Sequence, residues 1–162
     1  MKFDTQKYSY PSRRTVSFAK NGMVATSSPL PAQVGLDVLK KGGNAIDAAV
    51  ATAAALSVIE PTSNGIGADS FALIWYKGKL YGLNGSGHSP RLISGEKLLE
   101  QGLKAVPNDG WDPVMVPGTP SAWAEAVQKF GNLSLSDVLE PAATDAEEGY
   151  PLAPNIGKQW QL

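Results

Sequence analysis

The sequence predicts a mixed α/β fold in which a small sheet packs against helices. Residues 45–58 are almost wholly Ala, Val, Ile and Leu, so the helix predicted there has no polar face and should be buried. Residues 70–76 and 79–83 have the composition of two strands, and Lys77 and Gly78 form the turn of a hairpin between them. Apolar side chains alternate onto both faces of this hairpin, so we expect both faces to be covered.

The residues before the hairpin contain clear signals for where helices begin and end. Residues 23–26 are a candidate short strand, and residues 33–40 are predicted as a helix that ends at Gly42. Asn44 is a favourable N-cap for the next helix. Asp47 lies three residues later, where its carboxylate can accept from the first free backbone amides.

Helical patterns return after the hairpin. Three further helices are predicted, at residues 94–101, 121–130 and 135–146. Residues 106–113 are rich in turn formers and should form a loop, with Trp111 as its anchor, and residues 150–154 should leave the last helix as an extended segment. The four tryptophans follow no common spacing, so we interpret them as core or loop anchors rather than as a platform for stacking bases.

Composition excludes several classes of function. The chain has 162 residues and a net charge of −1, without a basic stripe, so no nucleic-acid partner is expected. Cysteine is absent and His88 is the one histidine, so we expect neither a metal nor a cofactor. The apolar run at residues 45–58 is shorter than the roughly 20 residues of a membrane helix. Residues 1–14 lack an apolar signal region, and we therefore expect a cytoplasmic protein without a membrane partner.

Four motifs in order along the chain resemble one known family. They are GGNAIDAAVA at residues 42–51, EPTSNGIGAD at 60–69, NGSGHSPR at 84–91 and FGNLSLSDVLEPAATDAEEGYPLAP at 130–154. They are similar to the N-terminal part of the large subunit of the gamma-glutamyltransferase family, also called gamma-glutamyltranspeptidase or glutathione hydrolase. The resemblance implies that residues 1–21 are a polar extension and that residues 22–162 are part of the large-subunit domain.

The resemblance also implies a fold and a mechanism. Members of the family are N-terminal-nucleophile hydrolases with an αββα sandwich, made as a precursor that cuts itself before a threonine, whose new amine then acts as the base. That threonine begins the small subunit, so the sandwich is incomplete in this chain and the expected partner is the missing catalytic half. No catalytic residue is predicted here, and the chain alone should be inactive. We interpret its own threonines at positions 26, 52, 62, 119 and 144 as structural.

The resemblance places a substrate contact just after the hairpin. There the family carries an arginine that binds the α-carboxylate of the gamma-glutamyl group, but the matching position here is Ser86. Ser86, Gly87 and His88 are the predicted substrate-binding residues, and the chain resembles a branch that lacks the arginine. Because many relatives are exported, the expected cytoplasmic location also indicates a separate branch.

Several alternatives for function stay open at this point. The substrate is a small-molecule amide, either a gamma-glutamyl compound or a related acyl amide of the kind that a cephalosporin acylase accepts. The alternatives to part of an amide hydrolase are a non-catalytic binding module and a truncated remnant. The glycine corner at residues 65–69 precedes a strand rather than a helix, which disfavours a nucleotide-binding loop.

Overall fold

The structure is a computed structural model that describes residues 16–161. The first fifteen residues of the predicted polar extension lie outside this range. Within it the chain forms a two-stranded antiparallel hairpin and six helices. The elements are α1 (Pro29–Lys40), α2 (Ala45–Ile59), β1 (Ser70–Tyr76), β2 (Lys79–Gly85), α3 (Gly95–Glu100), α4 (Thr119–Phe130), α5 (Leu135–Glu148) and α6 (Pro154–Trp160). None of these helices is long and apolar enough to cross a membrane.

Helix α2 is the centre of the packing, as its apolar sequence predicts. It contacts α1, α4 and α5, and its buried side chains are small. The core that they form with the neighbouring helices consists of Val38, Ala48, Val50, Ala51, Ala54, Ala55, Ile59, Trp123, Ala126, Val127, Val138 and Ala142. Alanine has no side chain beyond Cβ, so three helices can approach α2 closely.

The N-terminus of α2 is capped by the predicted residues. The Asn44 side-chain oxygen accepts hydrogen bonds from the amides of Ile46 and Asp47, and the Asp47 carboxylate accepts from the Asn44 amide at 2.8 Å. This reciprocal capping box satisfies backbone donors that the helix leaves free. Gly42, with φ of 99°, follows the end of α1 in the left-handed conformation that glycine favours.

The hairpin forms at the predicted position, with β2 two residues longer than expected. Lys77 and Gly78 have φ of 47° and 78°, the positive values of the tight turns that match strand twist. Its inner face packs on α4, where the rings of Tyr76 and Tyr81 lie 5.4 and 4.9 Å from the ring of Phe130.

The outer face of the hairpin contradicts the prediction that both faces are covered. Phe71, Leu73 and Trp75 are 64%, 82% and 71% exposed. Side chains alternate along a strand, so these three share one face and Ala72, Ile74 and Tyr76 share the other. Among the described residues, no second layer packs on the outer face.

Other expectations need correction. Residues 23–26 do not form a strand, because no described segment pairs with them. Helix α1 begins at Pro29 rather than at residue 33, and proline is tolerated in a first turn because its missing amide would have no partner there. Trp111 is 88% exposed and anchors nothing, and Trp75 and Trp160 are also exposed, so only Trp123 among the four tryptophans lies in the core.

The end of the chain also differs from the prediction. The extended exit at residues 150–154 is correct up to Ala153, but α6 follows from Pro154 and was not predicted. The Tyr150 hydroxyl donates to the Val58 carbonyl at 2.8 Å and so fastens the exit to the end of α2.

Candidate functional site

Three loops meet at the end of the hairpin that is remote from its turn. They are the glycine corner before β1 (residues 65–69), the corner after β2 (residues 84–90) and the segment that enters α4 (residues 116–119). The Ala68 carbonyl accepts from the Thr119 amide at 3.1 Å and from its hydroxyl at 2.9 Å. Thr119 is 3% exposed, so the donor side of this connection is buried, and the connection holds the first corner on α4.

The corner after β2 is held by glycines that leave no room for a side chain. A Cβ on Gly85 would lie 2.6 Å from the Ala122 Cβ, and one on Gly118 would collide with the Gly85 carbonyl. Gly87 has φ of 79°, and a Cβ there would collide with the Val116 carbonyl. Only glycine allows backbones to approach this closely, so the path of the corner is fixed.

The predicted substrate-binding residues lie together in this fixed corner. Ser86 is half-buried between Gly85 and Gly87, and its amide donates to the Asn84 side-chain oxygen at 3.0 Å. The His88 side chain is exposed, whereas its carbonyl accepts from the Val116 amide at 2.9 Å. The backbone therefore positions Ser86 and His88, while their role in binding substrate stays a prediction.

An uncharged groove runs up to this corner on the outer face of the hairpin. It has a volume of about 320 Å³ and is lined by Phe71, Leu73, Asn84 and their neighbours on the two strands. Asn84 belongs both to the groove and to the turn that holds Ser86. Apolar walls with a few neutral polar groups favour an uncharged acyl chain over a charged one.

The described residues do not form a nucleophile and base arrangement around Thr52, Thr62, Thr119 or Thr144. Thr62 donates to the Gln159 side chain at 3.2 Å, Thr144 donates to the Glu140 carbonyl at 3.0 Å, and Thr119 donates to Ala68. Thr52 is buried inside α2. Residues 16–161 also contain no cluster of three His, Asp or Glu side chains that could hold a metal ion.

Sequence reasoning missed two residues that build this site. Asn84 fixes the Ser86 amide, and Thr119 fastens the opposite loop. Asparagine side chains commonly accept a hydrogen bond from the backbone amide two residues later in a turn, so the role of Asn84 could have been recognised from the sequence. The role of Thr119 depends on a partner 51 positions away in the sequence and gives no local signal.

Comparisons with known proteins agree on one family. The family described as Gamma-glutamyltranspeptidase matches residues 31–162. The glutathione hydrolase proenzyme of Bacillus subtilis (strain 168) is 39% identical over 151 residues, which cover 89% of this chain and 26% of that protein.

Solved structures match the fold as well. A cephalosporin acylase from Bacillus halodurans has 60% identity and a TM-score of 0.87, covering 99% of this chain and 30% of its own. A Helicobacter pylori gamma-glutamyltranspeptidase has 32% identity and a TM-score of 0.82, covering 91% and 43%. The chain spans about a quarter of the length of the curated relative.

Proposed function

The chain belongs to the gamma-glutamyltranspeptidase family as a partial N-terminal segment of its N-terminal-nucleophile hydrolase fold, and we propose that it forms one wall of the substrate pocket of an amide hydrolase. The proposed substrate is an acyl amide that has no free α-carboxylate beside the scissile acyl chain. The nucleophilic threonine belongs to the catalytic part of the longer protein, which we propose as the partner of this segment.

The observation that carries the proposal is Ser86 in a corner whose glycines leave no room for a side chain. The resemblance implies an arginine at this position, whose guanidinium would donate two charge-assisted hydrogen bonds to a carboxylate. A serine hydroxyl donates one neutral bond. From the difference between charged and neutral hydrogen bonds, binding of an α-carboxylate weakens by about 1 to 3 kcal/mol, or roughly ten- to a hundredfold.

Two further observations support an acyl amide substrate. The groove beside Ser86 is lined by apolar and neutral residues, which suits an acyl chain. The relative with 60% identity is named a cephalosporin acylase, whereas the relative named glutathione hydrolase is 39% identical. Glutathione hydrolysis is the second candidate function, and the following experiment separates the two.

The test uses a fusion of residues 1–162 to the remaining part of the Bacillus halodurans acylase, called here the fusion enzyme. Its kcat/KM is measured on a gamma-glutamyl anilide and on the matching 4-aminobutanoyl anilide, which differs only in lacking the α-carboxylate. We expect the unsubstituted fusion enzyme, called here the parent, to show no strong preference in kcat/KM for either compound. The Ser86→Arg variant should improve the glutamyl compound by about ten- to a hundredfold relative to the other.

Ser89→Arg is the matched control, because it adds the same charge to an exposed position of the same corner. It should change the ratio of the two kcat/KM values by less than about threefold, as expected for an exposed charge pair. A parent that already prefers the glutamyl anilide by about a hundredfold, with no gain from Ser86→Arg, would show that another residue binds the carboxylate and would refute the proposal.

A further inference from the structure

A cavity of about 240 Å³ lies between the two arms of the connection that joins β2 to α4. One arm runs from Pro90 through α3, and the other contains Trp111 and Asp112. We call this space the side cavity. It shares no lining residue with the groove on the outer face of the hairpin, so the two spaces can take different parts of one ligand.

Both arms of the side cavity begin at one pair of residues beside the predicted substrate contact. The His88 carbonyl accepts from the Val116 amide at 2.9 Å, and the two residues form an antiparallel bridge. Pro90 is two residues beyond His88, so their Cα atoms lie within about 7 Å of each other. Asp112 is four residues before Val116, a span of at most about 14 Å. The side cavity therefore lies next to the corner that holds Ser86.

The lining of the side cavity is mostly apolar, with a buried floor and exposed walls. Leu98 is 8% exposed, whereas Leu92 and Trp111 are 82% and 88% exposed. Large apolar side chains that stand in water around a concave surface commonly mark a binding site. The volume is below the roughly 300 to 1,000 Å³ of pockets for drug-sized ligands, which suits one half of a substrate.

One charge of each sign also lines the side cavity. The Lys97 ammonium donates to the Leu92 carbonyl at 2.8 Å, which holds it in place and leaves up to two more donors for a ligand. Asp112 lies on the other arm, and within the described chain it forms no ion pair with Lys97. A ligand with both an anionic group and N–H donors matches these two side chains. A ligand with one kind of charge alone meets a like charge in the same cavity.

We propose that the side cavity binds the leaving amine of the amide substrate, and that this amine carries a carboxylate on a ring or another apolar framework. Lys97 binds the carboxylate, and the ring packs on the Trp111 indole. Hydrolysis breaks the bond between the acyl carbon and the nitrogen. The carbon takes the hydroxyl group of water and the nitrogen takes its proton, so the departing amine offers N–H donors that Asp112 can accept.

This inference rests on the proposed function, because it assigns the second half of the same substrate. The proposed function places the acyl chain in the groove beside Ser86 and leaves the amine unassigned. An arm of the connection reaches the side cavity from that same corner, so one amide can contact both spaces.

Two 4-aminobutanoyl anilides test the proposal on the fusion enzyme. One has a carboxylate at the meta position of the leaving ring, and the other has a carboxamide of nearly the same size. The ratio of their kcat/KM values, carboxylate over carboxamide, should fall by about three- to tenfold in Lys97→Met. It should stay within about twofold of the parent in Lys97→Arg, which keeps the charge. Trp111→Ala should lower both values by about fivefold and leave their ratio unchanged, because both rings pack on the indole.

Lys104→Met is the matched control, since Lys104 is an exposed lysine of the same connection that does not line the side cavity. It should leave the ratio unchanged. A second measurement needs no turnover: calorimetry gives the Kd of meta-aminobenzoate, the amine that the first anilide releases. This Kd should rise by about threefold or more in Lys97→Met and stay constant in Lys104→Met.

The outcomes separate this inference from the proposed function. Hydrolysis of both anilides with one and the same ratio in the parent, Lys97→Met and Lys104→Met would overturn the inference and leave the proposed function standing. A fusion enzyme that hydrolyses neither anilide would refute the proposed function, and the calorimetry would then decide on the side cavity. Equal Kd values for the parent and Lys97→Met would overturn the binding of the amine there, and a weaker Kd in Lys97→Met alone would support it.

Discussion

Asp47 joins helix α2 to the segment between α4 and α5, and replacing it with alanine should destabilise the fold strongly. Its side chain is fully buried. One carboxylate oxygen accepts from the Asn44 amide at 2.8 Å and from the Asn132 amide at 2.9 Å. Asn44 in turn donates to the Phe130 carbonyl at 2.6 Å, so the start of α2 is joined to the end of α4.

The size of the effect follows from the groups that Asp47→Ala leaves without partners. Each part-buried amide that loses its acceptor costs about 1 to 3 kcal/mol, toward the lower end for the amide of Asn132, which is an exposed residue. Loss of a negative charge at a helix N-terminus adds about 0.3 to 1 kcal/mol. Removing a buried carboxylate also removes its desolvation cost, which offsets part of this sum. We therefore expect the free energy of unfolding to fall by about 3 kcal/mol.

Urea denaturation of the fusion enzyme measures this loss, with Asp137→Ala as the matched control. Asp137 occupies the same position in the first turn of α5, and it accepts from the Ser134 hydroxyl. It is exposed and joins no second helix, so its replacement should cost no more than about 1 kcal/mol. Asp47→Asn should lie between the two variants, because an amide oxygen still accepts hydrogen bonds. Equal losses for Asp47→Ala and Asp137→Ala would refute this account of the junction.

Three further outcomes are expected. Gly87→Ala should lower the kcat/KM of the fusion enzyme on every substrate by about tenfold or more, because its Cβ collides with the Val116 carbonyl. Gly110 also has a positive φ but has open space around it, so Gly110→Ala should change only the melting temperature. Residues 1–162 alone should hydrolyse neither anilide, and turnover by the homogeneous segment would contradict the missing nucleophile. Burial, with Glu148 nearby, raises the pKa of the Asp145 carboxyl. Ionised Asp145 therefore slightly destabilises the fold above that pKa, and the effect disappears once pH falls below the unfolded value of about 3.9. Urea denaturation should find Asp145→Asn slightly more stable than the unsubstituted fusion enzyme at pH 7 and equal to it at pH 3, and a difference that does not change with pH would contradict this.

Elements with local signals could be predicted from the sequence. The capping pair Asn44 and Asp47, the turn at Lys77 and Gly78, and the helix at residues 121–130 are each predicted from a few neighbouring residues, and all three form as expected. Helix α6 was missed because it is seven residues long and contains a glycine, so it has almost no periodic pattern.

Only part of the candidate site could be predicted, because its shape depends on contacts between distant parts of the chain. Its corner residues were found by their resemblance to a family motif, and the close approach of Gly87 to Val116 depends on contacts between distant parts of the chain. A sequence pattern shows at which positions glycine is needed, but not which atoms of the folded chain lie against those positions.

The two main errors concern surfaces that the described chain leaves open. Residues 23–26 were expected to be a strand, and the outer face with Phe71, Leu73 and Trp75 was expected to be covered. Both expectations came from apolar patterns, and such patterns report burial in the protein that the sequence evolved to build. A partial segment keeps those patterns when the elements that would cover them lie elsewhere. Errors of this kind therefore point to surfaces that the described residues leave open, here residues 23–26 and the outer face of the hairpin.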